Sequence, residues 1–94
     1  MNELVKVDVM FRQDNDGVTA VFPYEIADWK GNCTCYAHLG QHSSCCWEWV
    51  METKPATEYA ELKRELESIG YIVNVIHRRN YDKYLKELYK MRGL

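Results

Sequence analysis

The chain lacks any long apolar run: no stretch approaches the ~18 consecutive apolar residues that would span a membrane. Its first residues, Met-Asn-Glu-Leu-Val-Lys-Val-Asp, do not pair a basic segment with an apolar one, so no secretory signal is expected there. A cytoplasmic location with reduced thiols follows as the expectation. Proline is scarce, at two residues, while 47% of the chain is hydrophobic, and this balance excludes a disordered protein. There is no phosphate-binding glycine motif, no nucleophile elbow and no His-Glu-x-x-His, so the expected protein is not an enzyme. No internal repeat, low-complexity run or linker divides the sequence. Its 94 residues are read as one domain, 1–94, with a modest core.

What the sequence does have is aromatic side chains and uneven charge. Seven tyrosines and three tryptophans are many for this length and suit either a core or a binding surface. The net charge is −2, but residues 78–94 hold six basic side chains against two acidic ones, which is +4 and leaves −6 for the rest.

Alternation predicts strands. Val5, Val7, Val9 and Phe11 share one face of a strand over residues 4–12, the turn 13–17 follows, and Val18–Phe22 returns as the second arm of a hairpin. Pro23 is expected to end that strand, with a loop over 24–31. Cys33 to Leu39 alternates again, and Gly40–Ser44 reads as a turn. Cys45, Trp47, Trp49 and Met51 then form the apolar face of a partner strand, with Cys46, Glu48 and Val50 opposite. Lys54-Pro55 breaks the sheet. Thr57 is the expected cap of a helix whose stripe is Tyr59, Leu62, Leu66 and Ile69, with Gly70 ending it. Tyr71–His77 reads as an interior strand. Asn80 is expected to cap a last helix with the stripe Tyr81, Tyr84, Leu85, Leu88 and Met91. The predicted order is β-β-β-β-α-β-α: an α+β fold with a mostly antiparallel sheet of about five strands and two helices on one face.

Chemistry-bearing residues concentrate in the middle. Cys33, Cys35, His38, His42, Cys45 and Cys46 are six zinc-ligand types within fourteen residues. Their spacing is not that of a zinc finger or ribbon, and alternation separates them. A turn pairing Leu39 with Cys45 would put Cys33, Cys35 and Cys45 on the apolar face as small hydrophobes. It would leave His38, His42 and Cys46 as the residual metal set, with zinc the one cofactor to consider, or His38 with Cys46 as a reactive thiol pair. Structural cysteines are the favoured reading. Tyr24, Glu25 and Asp28, with Tyr36 and Glu48, could rim a polar pocket beside His38; a hydrated loop is the plainer alternative. At the basic end, Lys83, Lys86 and Lys90 fall on one helix face, with Arg78 and Arg79 near its start, a strip that could meet nucleic-acid phosphates. A solvated helix face is the plainer reading there too.

The segments Val9–Arg12, Phe22–Asp28, Tyr36–His42 and Thr53–Tyr71, above all Tyr-x-His-x-Gly-Gln-His, resemble a family of small bacterial proteins carried by phages and mobile elements. The resemblance covers roughly residues 5–79, most of a domain this size. That family brings no established activity, cofactor or catalytic residue to transfer. Ser43-Ser-Cys-Cys46 departs from its pattern. The expected function is a binding module for a protein partner, with Tyr36, His38, His42 and Glu48 as contact residues. Nucleic-acid binding through Arg78, Arg79, Lys83, Lys86 and Lys90 is one alternative. A zinc or thiol site at His38, His42 and Cys46 is the other.

Overall fold

The computed structural model describes residues 4–37 and 41–93, with the main chain alone at Gln41. The first hairpin forms as its alternation requires. Strand β1, Val5–Asp14, runs antiparallel to β2, Gly17–Ile26, in a register from Met10 opposite Val21 to Asp14 opposite Gly17. Asp14 Oδ1 accepts from the Asp16 amide at 2.9 Å, and Gly17 takes φ +126°, which a residue without Cβ adopts freely. Pro23 does not end β2. The strand runs through it, and the register with β3, Cys33–Ala37, slips between Phe22 and Ile26. A bulge is where a strand tolerates a residue with no N–H to donate.

The second hairpin is shorter and shifted from its expected register. Strand β4 is Gln41–Cys45, residues read from sequence mostly as a turn, and it pairs Cys33 with Cys45, Cys35 with Ser43 and Tyr36 with His42. The segment expected as the next strand is instead a short helix, α1, Trp47–Glu52. Its period-two run of Cys45, Trp47, Trp49 and Met51 is too short to distinguish a strand from one and a half helical turns. In the helix Val50 becomes a core residue, 0% exposed, and Met51 faces solvent. Lys54–Pro55 extends the sheet as a two-residue strand, β5, against Arg12 and Gln13. A proline is acceptable at such an edge.

Helix α2, Ala60–Ser68, starts three residues beyond the expected Thr57 cap. Leu62 and Leu66 bury as its stripe requires, whereas Ile69 is 52% exposed. Gly70, φ +110°, turns the chain into β6, Tyr71–Val75. This strand is not interior. It lies parallel to the first half of β1, Val5 opposite Tyr71 through Val9 opposite Val75, and among the described residues β1 is its one ladder partner. Helix α3, Tyr81–Arg92, is capped as expected: Asn80 Oδ1 accepts from the Lys83 amide at 3.2 Å.

The sheet order is β4-β3-β2-β1, with β5 and β6 sharing the far edge of β1. The α+β class and the mostly antiparallel sheet are as the sequence predicts. The helices, however, cover both faces. Val9, Phe11, Ala20, Phe22 and Tyr36 pack with Leu62 and Leu66 of α2. Met10, Val21, Cys33 and Cys35 pack on the other side with Val50 and the tryptophans of α1 and with Tyr84 of α3. Both faces of the central strands are therefore apolar, and each requires its own cover. Full burial of side chains such as Phe22, Leu66 and Val9 contributes about 1.5–3 kcal/mol apiece.

Candidate functional site: a groove between the first two strands

Strand β1 changes partner at Val9–Met10. From Met10 onward it pairs with β2, while Val5–Val9 pair with β6. Continued backward, the β1–β2 register would set Asp8 opposite Pro23, Val7 opposite Tyr24 and Lys6 opposite Glu25. The ladder stops short of these positions, and a groove of about 570 Å³ occupies the gap. The Val5 amide donates to Gly70 O and Val9 O accepts from the Ile76 amide, both at 2.9 Å. Alternation of a parallel ladder then turns the main-chain groups of Lys6 and Asp8 away from β6, toward the groove.

The groove has an apolar floor and a polar rim. Val5, Val7 and Tyr71 supply apolar surface, backed by the fully buried Phe22; Lys6, Asp8, Glu25, Asn74, Lys83 and Glu87 supply charge and hydrogen bonding. One wall is tightly set. Asp8 Oδ1 accepts from Asn74 Nδ2 at 2.9 Å, and Asp8 Oδ2 pairs with Lys83 Nζ at 3.3 Å. Lys83 Nζ also lies 4.3 Å from the centre of the Tyr24 ring, and Tyr24 Oη accepts from the Asn80 amide at 2.7 Å. Tyr24 and Glu25, read from sequence as loop residues, thus stand on β2 and line this groove.

Tyr71 links the groove to the Tyr36–His42 edge. The cross-strand pair Tyr36 and His42 meets edge to face, with ring centroids 5.0 Å apart, and His42 Nε2 lies 3.1 Å from Tyr71 Oη. Phe22 packs against both His42 and Tyr71. Tyr36 itself is a correction to the expected surface set: it is 4% exposed and donates its phenol to Glu65 Oε1 at 2.7 Å. That hydrogen bond, with desolvation and the Glu65 charge behind it, pushes the Tyr36 phenol above the usual tyrosine range. Burial, followed by the charge of Glu25, does the same at Tyr71.

The remaining candidates are scattered. His38 lies outside the described residues. Glu48 is exposed on α1, which docks on the opposite face of the sheet from His42. Cys46 is exposed at the start of α1. Among the described residues no three His, Cys, Asp or Glu side chains converge as a metal set. Asp28 is not a pocket rim but the organiser of the 27–32 turn: its carboxylate accepts from the Asn32 side chain at 2.7 Å and from the Lys30 amide at 2.9 Å. These bonds, the Asn32 side chain foremost, hold it below the usual carboxylate range.

The basic strip is broken up by its neighbours. Arg79 is half-buried, its guanidinium 3.6 Å from the Trp47 ring centre and 3.8 Å from that of Tyr84. Lys83 is engaged by Asp8, and Lys90 Nζ lies 3.6 Å from Glu87 Oε1. Arg78 and Lys86 are exposed. The sequence missed Asp8, Asn74 and Tyr71 as site residues, because the parallel β1–β6 pairing that assembles them joins segments more than sixty residues apart. No family model, curated protein or solved structure matches the chain.

Proposed function

We propose that the protein is a non-enzymatic binding module that holds an extended segment of a protein partner in the β1–β2 groove. The observation that carries this reading is the partner change of β1, which directs main-chain groups of Lys6 and Asp8 into an open groove rimmed by charged side chains. An extended peptide meets such a surface by main-chain hydrogen bonding, with side-chain pockets adding selectivity. The apolar surface of Val5, Val7 and Tyr71 suits an aliphatic or aromatic side chain of that peptide. Three carboxylates, Asp8, Glu25 and Glu87, stand against the two ammonium groups of Lys6 and Lys83, a balance that favours a peptide of mixed charge over a polyanion.

The test is selection of displayed random peptides on the immobilised full-length protein, followed by calorimetry with the enriched sequences. Lys6→Glu and Glu25→Lys change exposed positions and should leave the circular dichroism spectrum unchanged. Each is expected to weaken a selected peptide by about tenfold. Peptide binding should also slow hydrogen exchange at residues 5–9. Unaltered affinity in both variants would refute the groove as the binding site.

A further inference from the structure

The β3–β4 hairpin places three of the four cysteines on one face of the sheet. Cys33 is opposite Cys45, and Cys35 is one pleat along from that pair, opposite Ser43. Their surroundings differ. Cys33 is 0% exposed and donates its thiol toward Pro23 O at 3.6 Å, away from β4. Cys35 is 5% exposed, with its sulfur 3.1 Å from Ser43 Oγ and Cys45 as its diagonal neighbour on the same face. Cys45 is half-buried, and Cys46 is exposed.

We propose that Cys35 and Cys45 are an oxidisable thiol pair that closes to a reversible disulfide under peroxide. Peroxide suits the site because it is close to water in size, and Cys35 is nearly covered. Hydrogen bonds from Cys45 first, and from Ser43, hold the Cys35 thiol below the usual cysteine range against the effect of burial. Cys45, the donor in that bond, is pushed up.

The steps balance with hydrogen peroxide as the oxidant. The Cys35 thiolate attacks one peroxide oxygen and the O–O bond breaks. Cys35 becomes a sulfenic acid, and the departing hydroxide takes a proton from solvent to leave as water. The Cys45 sulfur then attacks the Cys35 sulfur. The S–O bond breaks, and the Cys45 proton passes to the leaving hydroxide to make a second water. Two thiols have lost two electrons and two protons, and one peroxide has become two waters. A thiol reductant reverses the change by disulfide exchange.

Cys33 is the residue directly opposite Cys45, but its thiol is engaged by Pro23 O, which leaves the diagonal pair Cys35 and Cys45. Diagonal neighbours on antiparallel strands stand about 7–8 Å apart at Cα, and a disulfide spans up to about 6.8 Å, so closure needs a strand shift on the order of 1 Å. Among the described residues β4 has a ladder partner on one side only, β3, which leaves it room to make that shift. A Cys45–Cys46 bond would instead require a strained ring between adjacent residues.

The experiment treats the reduced full-length protein with a small molar excess of hydrogen peroxide, blocks remaining thiols with iodoacetamide, and reads intact mass and linked peptides. The expected product is lighter by two hydrogens, carries two blocked thiols, maps its link to Cys35–Cys45, and reverts with dithiothreitol. Cys46→Ser should behave as the parent protein. Cys35→Ser and Cys45→Ser should each lose the linked product. Should either variant fail to fold, peptide mapping of the parent protein decides alone. A link between other cysteines, or over-oxidised thiols with no link, overturns the proposal.

Discussion

Gly31 is the point where α3 is locked to the sheet, and replacing it with alanine tests how. Gly31 has φ +88°, and a Cβ there would stand 2.6 Å from Tyr84 Oη. That hydroxyl donates to Gly31 O at 2.9 Å. Three costs follow in Gly31→Ala. The left-handed backbone costs an L-residue about 1–2 kcal/mol. Displacing the hydroxyl removes a hydrogen bond worth about 1 kcal/mol. Moving the Tyr84 ring off its packed position costs on the order of another 1 kcal/mol. The sum is about 3–4 kcal/mol, a large part of the stability of a domain this small. Only the backbone cost survives if the hydroxyl is already absent. In a Tyr84→Phe background the next atoms a Cβ would meet are Leu88 Cδ1 at 3.5 Å and Cδ2 at 3.7 Å, which is ordinary contact. Gly31→Ala should therefore cost only about 1–2 kcal/mol in that background. Urea unfolding of the four proteins of this cycle measures the difference, which should be a coupling of about 2 kcal/mol. Equal costs in the two backgrounds, to within about 0.5 kcal/mol, would refute the claim that the Tyr84 hydroxyl limits position 31.

Arg79→Lys keeps the charge but loses the planar group stacked between Trp47 and Tyr84; urea unfolding should show a loss of about 1–2 kcal/mol, and no loss would count against a stacking role. Asn80→Ala removes the acceptor for the Lys83 amide; a drop of about 1 kcal/mol is expected, with faster hydrogen exchange in the first turn of α3. Tyr36 gives a pH signature. Its phenol has a raised folded-state value, so its contribution is complete below the unfolded tyrosine value of about 10 and is lost as pH rises through the folded value. The stability difference between the parent protein and Tyr36→Phe should therefore shrink above that pH, and a difference that stays constant up to strongly alkaline pH would contradict the Tyr36–Glu65 bond.

The elements legible in the sequence are those whose pattern is local. The first hairpin follows from the alternation of Val5 to Phe11 and the Asp14–Gly17 turn, and α3 follows from Asn80 and its stripe. The assignment of Cys33, Cys35 and Cys45 to one face also holds, although the register does not. The observed pairing of Cys33 with Cys45 differs from the expected Leu39–Cys45 pairing by an even number of residues, and an even slip keeps every side chain on its face. The illegible parts depend on distant partners. Trp47 to Glu52 is helical because its apolar residues close the open side of the cysteine-bearing face, a requirement that exists only once that face has formed. The β1–β6 pairing has no local signal at all, and with it the groove was invisible. The Cys/His cluster attracted attention through composition, yet the residues that meet at the groove are a dispersed set from β1, β2, β6 and α3.

Pro23 connects these outcomes. It is 10 residues from Cys33 in sequence, and its carbonyl accepts that thiol at 3.6 Å. With no N–H of its own, it offers a neighbouring strand at most an acceptor. On one side of β2, the ladder to β3 is interrupted between Phe22 and Ile26. On the other, the β1 ladder ends two residues before the position that would face Pro23. Pairing with β6 engages main-chain groups such as Val5 N and Val9 O on the far edge of β1, and leaves those of Lys6 and Asp8 facing the open groove. The residue read from sequence as the end of a strand is thus a discontinuity inside it, and the same discontinuity accounts for both the groove beside β1 and the orientation of the Cys33 thiol away from β4. That orientation leaves Cys35 as the thiol that reaches Cys45.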